Sequence, residues 1–124
     1  MDKVEFLVLR NLIHNEEYVR KVIPFIKADY FEEYNQKVVF EEILKFVEED
    51  NKPVTREVLC IETEKRQDIN DSSFKEITQL IGSLEEEHTE FNWLVDTTEK
   101  WCRDRAIYLA LMESIQKADG KDDE

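Results

Sequence analysis

Glycine and proline are scarce in this chain, with two of each in 124 residues. Neither a Gly-rich phosphate loop nor a dinucleotide-binding fingerprint is present, which excludes the common nucleotide-binding devices. Cysteine is also scarce. Cys60 and Cys102 lie far apart with no CxxC pairing, so they read as reduced cysteines of an intracellular protein. His14 and His88 are isolated, and no metal site is expected. No apolar run approaches membrane-span length, and the first residues lack the layout of a signal peptide; the expectation is a soluble, cytoplasmic protein with no membrane contact. No segment alternates with period two over a convincing length, so strands are not expected.

What is there favours helices. Hydrophobic residues make up 41% of the chain, enough for one domain with a core of its own. Acidic side chains outnumber basic ones by 30 to 17, giving a net charge of −13. Such a surface disfavours non-specific contact with a phosphate backbone. It leaves open a basic protein partner steered by charge, or a place in a DNA-handling machine whose other domains touch DNA. No carboxylate pair is marked out as an acid/base dyad, and serines and threonines fall mostly at helix caps. No polar residue interrupts an apolar face in a way that calls for an active site, so the chain does not read as an enzyme.

Capping and periodicity divide the chain into about six helices. Asp2 can cap a first helix lined by Val4, Leu7, Val8 and Leu12 and ending near His14. Asn15 caps a second, which stops before Pro24. Lys27 to Phe31 (KADYF) reads as a turn with two aromatic anchors. Asn35 starts a third helix, whose wet side comprises Glu41, Glu42, Glu48, Glu49 and Asp50, and Asn51-Lys52-Pro53 ends it. Thr55 caps a short fourth helix carrying Val58, Leu59 and Ile61. Lys65 to Ser72 reads as a loop, and Ser73 with Glu76 fits a capping box opening the fifth helix. Gly82 in that helix either weakens it or admits a close neighbour. Glu85 to Thr89 forms a polar joint.

The last long segment is the most informative. From Glu90 to Ala118 there is no Gly or Pro. Leu94, Thr98, Trp101, Arg105, Tyr108, Met112 and Ile115 fall at alternating steps of four and three, a near-heptad stripe. Ala106 to Met112 (AIYLALM) is apolar all round. One helix over this range is about 43 Å long, whereas a compact domain of this size is roughly 35 Å across. The helix is therefore either a core element bent around its bundle or an overhanging partner surface. Arg105 on the stripe reads either as an interhelical or intersubunit ion pair or as a snorkelling arginine. Trp93 and Trp101 read as core or interface anchors.

The order of these pieces resembles a known family. VEFLVLRNLIHNEEYVRKVIPFIKADYF followed by VVFEEILKFVEEDNKPVTREVL resembles the opening of DnaB-type replicative helicases: a short helix, a "dyF" turn, a further helix and a "kpvt" turn. HTEFNWLVDTTEKWCRDRAIYLALMESIQ resembles the segment that leads into the helical hairpin of the T-even-type phage branch, the helicase half of a primase–helicase. The resemblance covers about Val4 to Ala118. It implies a ring-forming, hexameric, ATP-driven helicase moving 5′ to 3′ at the replication fork. ATP and Mg would be bound by the full-length protein downstream, with no cofactor in this chain. It further implies self-association, primase as a partner, contact with a helicase loader, and residence in the cytoplasm of a bacterial host. The long helix would be the first arm of a hairpin, with a linker and second arm beyond this chain. Ile61 to Leu84 departs from the cellular members.

The expected architecture is thus all-α: a globular part over 1–89, a hairpin arm over 90–118 and a disordered tail over 119–124. The expected function is assembly and docking, with no catalytic residue. The expected interface comprises Trp93, Leu94, Trp101, Arg105, Tyr108, Leu111 and Met112, as subunit contact or its supporting core. The competing expectation is an acidic inhibitor that mimics DNA, or another helical protein-interaction module.

Overall fold

A computed structural model describes residues 3–120. Six helices follow in order: α1 (Lys3–His14), α2 (Glu16–Val22), α3 (Tyr34–Asp50), α4 (Arg56–Glu64), α5 (Asp71–Ser83) and α6 (Phe91–Gly120). Two single 3-10 turns, Ile23–Phe25 and Ala28–Tyr30, join α2 to α3. The described residues contain no strand, and no helix among them is long and apolar enough to cross a membrane. The Asp2 cap and the tail beyond Gly120 lie outside the described residues.

Local chemistry sets most boundaries. The Asn15 side chain accepts the Tyr18 N–H at 3.0 Å and opens α2, and Pro24 converts its end into a 3-10 turn. Asn51, with φ of 52°, closes α3 in the left-handed conformation that asparagine tolerates better than most residues. Thr55 accepts from Val58 N–H at 3.2 Å to open α4. The Glu90 carboxylate accepts from Trp93 N–H at 2.6 Å, satisfying an orphan donor where the helix dipole favours an anion.

Two boundaries differ from the sequence reading. Helix α3 begins at Tyr34, one residue before Asn35, and its cap position, Glu33, makes no side-chain cap. Helix α5 begins at Asp71, because Asn70 rather than Ser73 is its cap, accepting from Ser73 N–H at 2.7 Å. The Ser73–Glu76 capping box therefore does not form. Asparagine caps as well as serine does, and Asp71 then sits in the first turn. Gly82 has no neighbour close enough to need a missing Cβ, so it serves no close approach. Its carbonyl accepts from Arg56 Nη1 at 3.0 Å.

Helix α3 is central, packing on α1, α4, α5 and the second 3-10 turn, while α6 lies across α1, α2 and that turn. Val8, Leu9 and Leu12 meet Tyr18, Phe31, Val38, Val39, Phe40, Ile43, Ile77, Ile81, Leu84 and Leu94 in one core, each large side chain contributing about 1.5–3 kcal/mol on burial. Of the three apolar residues noted on α4, Leu59 is buried, Val58 half-buried and Ile61 exposed.

Polar residues enter the core that the sequence reading left wet or unremarked. Glu5, Gln36 and Glu42 are all buried. Glu42 is withdrawn from the acidic face of α3 because Arg66, from the loop after α4, donates to it at 2.9 Å. The same guanidinium holds Glu41 at 3.1 Å and Asp68 at 2.6 Å. Asp68 is kept below the usual carboxylate range by that bond. Glu5 accepts the Glu32 N–H at 3.3 Å.

Candidate protein-interaction surface

Helix α6 has two halves with different fates. From Phe91 to Arg105 it belongs to the body. Leu94 and Thr98 are fully enclosed, and Val95, Trp101 and Cys102 are buried. The Thr98 hydroxyl donates to the Leu94 carbonyl at 2.8 Å and lies 2.6 Å from the buried Tyr18 hydroxyl. Burial pushes the Tyr18 phenol well above its ordinary range. Trp101 packs edge-on against Tyr30 and Phe31, with ring centroids 6.0 and 5.0 Å away, and Phe31 in turn meets Phe40 at 5.3 Å. The two aromatic anchors of the KADYF turn thus dock on one tryptophan. Burial, with the Glu99 carboxylate nearby, pushes the Cys102 thiol up to about 11.

Arg105 ends the packed half. Its Nε–H donates to the Tyr30 carbonyl at 2.6 Å, and its other nitrogens reach the Glu32 carboxylate at 3.4 Å and the Asp29 carbonyl at 3.5 Å. Its guanidinium also lies 5.0 Å from the Tyr108 ring centroid, a cation–π distance. The ion pair is therefore made within this chain.

Beyond Arg105, only Leu109 is partly covered, and every other residue to Asp119 is exposed. Ile107, Tyr108, Leu111, Met112 and Ile115 are 54%, 49%, 59%, 36% and 54% exposed. At helical spacing they share one side of α6, forming a contiguous exposed apolar patch. The two readings of the long segment thus apply to different halves: a core helix first, an overhanging apolar surface after.

The residues picked out from sequence separate accordingly. Leu94 and Trp101 lie in the chain's own core, and Arg105 clamps the KADYF turn. Tyr108, Leu111 and Met112 stand on the free half, and Trp93, 55% exposed, stands at the opposite end of α6. The sequence-based set leaves out Ile107 and Ile115, although the AIYLALM run and the near-heptad stripe already contained them. Trp93 also edges an apolar surface groove of about 410 Å³ with Val4, Phe6, Leu7 and the stems of Lys3 and Arg10. Arg10 is tied to the polar joint through Glu87 at 3.2 Å and Thr89 at 3.1 Å. Among the described residues no three His, Cys, Asp or Glu side chains converge as metal ligands would.

Comparison with known proteins accords with this architecture. Residues 2–90 match the model of the DnaB-like helicase N-terminal domain. The chain is also similar to a DnaB-like replicative helicase of Enterobacteria phage T4, with 27% identity over 110 residues. That match covers 89% of this chain but 23% of the relative, so the chain spans about a quarter of that protein's length. With six helices in one body and a family match over most of its length, the chain belongs to the DnaB-like helicase N-terminal domain family.

Proposed function

We propose that this chain is the N-terminal assembly and docking domain of a hexameric, ATP-dependent replicative helicase of a phage, acting 5′ to 3′ at the replication fork in the host cytoplasm. Its task is to bring subunits together and to offer primase a docking surface. The observation that carries the reading is the free half of α6: five large apolar side chains held in water on a rigid helix. Association that covers them returns the free energy of apolar burial. The net charge of −13 supports docking with basic partners rather than with DNA.

The ATP and Mg²⁺ that this reading implies for the whole helicase would be held by other parts of it, since this sequence has no Gly-rich phosphate loop, and no step here runs through them.

Sedimentation analysis tests the proposal. The 124-residue chain should self-associate, and Leu111→Asp and Tyr108→Asp should shift it toward monomer while leaving its helical circular dichroism and cooperative melting in place. An unchanged mass distribution in both variants refutes the assembly role. The charge alone would also suit an acidic DNA mimic. That function would appear as salt-dependent displacement of DNA from a basic enzyme, which the assembly reading does not expect.

A further inference from the structure

The apolar groove beside α1 carries a charge opposite to that of the chain as a whole. Val4, Phe6, Leu7 and Trp93 line it, and its two charged residues, Lys3 and Arg10, are both cations. Elsewhere acidic side chains dominate, 30 to 17 over the whole sequence. Lys3 is exposed and makes no ion pair among the described residues. Arg10 is held to Glu87 and Thr89 by its terminal nitrogens, while its buried Nε–H has no partner.

The order of these residues along α1 is regular. Lys3, Phe6, Leu7 and Arg10 stand at i, i+3, i+4 and i+7, so they share one face over two turns. The two cations are about 10 Å apart along the axis, and the apolar pair lies between them. Trp93, 55% exposed, walls the groove from the first turn of α6.

We propose that this groove docks an amphipathic helix of another protein, one with carboxylates at i and i+7 and large apolar residues at i+3 and i+4. Laid along α1, that helix sets its apolar pair on Phe6, Leu7 and Trp93, and a carboxylate beside each cation. These are the positions by which helices seat in apolar grooves. The proposal goes beyond the assembly reading and does not depend on it: the partner is acidic, whereas the net charge of the chain favours basic ones.

Physical chemistry selects this occupant. A basic segment would meet like charge at both ends of the groove. A wholly apolar one would bury the Arg10 Nε–H without an acceptor. An extended peptide would lay unpaired backbone groups on an apolar wall that has no sheet edge to receive them, whereas a helix satisfies its own. The chain's own α4 repeats the charge spacing with Glu57 and Glu64. Its middle pair is Cys60, half-buried in its own domain, and Ile61, 54% exposed. A second copy would therefore bring one large apolar side chain to a groove that takes two.

A synthetic peptide tests the assignment. The probe is a fluorescein-labelled, alanine-rich helix of about 18 residues, with Glu and Leu at the four positions, and its binding to the 124-residue chain is read by anisotropy. Exchanging both Glu for Lys, or both Leu for Ser, should weaken binding roughly tenfold or more. On the protein, Lys3→Glu and Trp93→Ala change exposed side chains, and each should weaken it about fivefold or more. A peptide with one Glu exchanged for Lys should recover binding to the Lys3→Glu chain, and which Glu does so gives the direction of the docked helix. Leu111→Asp, at the far end of α6, should leave the peptide affinity unchanged, so the groove and the assembly surface read out separately. Circular dichroism of each variant confirms that it is folded.

A doubly Lys-substituted peptide that binds as tightly as the parent overturns the proposal. So do Lys3→Glu and Trp93→Ala chains that bind the parent peptide unchanged, or no binding at about millimolar peptide. If those two substitutions instead lower the sedimentation mass of the chain alone, a second copy covers the groove and the assigned partner is wrong.

Discussion

The Nε–H of Arg105 donates to the carbonyl of Tyr30, 75 residues away in the chain, at 2.6 Å. Two further contacts from the same guanidinium, to Glu32 and to the Asp29 carbonyl, fix the KADYF turn against α6. The turn has few backbone hydrogen bonds of its own, so an arginine on another helix supplies donors to its carbonyls.

Replacing Arg105 with Ala should therefore cost about 1–3 kcal/mol of unfolding free energy, read from urea denaturation. Arg105→Lys should recover only part of the loss, because an ammonium lacks the fork that reaches the Tyr30 and Asp29 carbonyls together. Trp101 fluorescence should shift in the Ala variant, since the rings of Tyr30 and Phe31 lie against that indole.

Tyr18 and Thr98 form a buried hydroxyl pair, and the two ways of breaking it should differ. Tyr18→Phe removes one hydroxyl and leaves Thr98 bonded to the Leu94 carbonyl, so the loss should be about 1 kcal/mol. Thr98→Val strands the Tyr18 hydroxyl in a site with almost no solvent, and should cost about 1–3 kcal/mol. A double-mutant cycle in denaturant isolates the coupling.

Arg66 makes stability depend on acid. The folded-state pKa of Asp68 is lowered by its bond to Arg66. A carboxylate lowered in the folded state stabilises at pH above its unfolded value, and that stabilisation is lost as pH falls through the folded value. Stability should therefore decline below about pH 4, the unfolded carboxylate range, and Arg66→Met should flatten the part of the decline due to Asp68. At neutral pH the same substitution leaves the buried Glu42 without its main partner and should cost about 3 kcal/mol.

The two thiols should react at different rates. Burial holds the Cys102 thiol up to about 11, so at neutral pH it is protonated as well as enclosed. Burial also raises Cys60, but the Arg56 charge opposes it and the side chain is only half-buried. Under native conditions iodoacetamide should modify Cys60 first, and Cys102 only on unfolding, as followed by intact mass. Equal rates would contradict the packing of Cys102.

Where the sequence was legible, the cause was local. Asn15, Pro24, Asn51 and Thr55 act on backbone within a few residues, and each does what its chemistry dictates. Ser73 shows the limit: the sequence reading placed the cap there, whereas Asn70, three residues earlier, caps the helix and Ser73 lies within its first turn. The fate of a side chain on α6 was less legible, because it depends on contacts made from elsewhere. Trp93 and Trp101 are chemically equal and eight residues apart, yet one is exposed and the other enclosed by the KADYF turn. Glu42 looks like its acidic neighbours until Arg66 arrives from a distant loop.

The uninterrupted run of α6 through Arg105 has a consequence for how a partner is met. A helix of about fifteen residues alone in water is marginal, because its first turn is costly to form. Here the buried half already supplies that turn, so the exposed half extends a helix that has been nucleated inside the core. A partner then encounters a surface whose backbone is ordered before contact, and the entropy of ordering it is charged to folding rather than to association. Anything that loosens the anchor at Arg105 would thus weaken binding at residues it never touches.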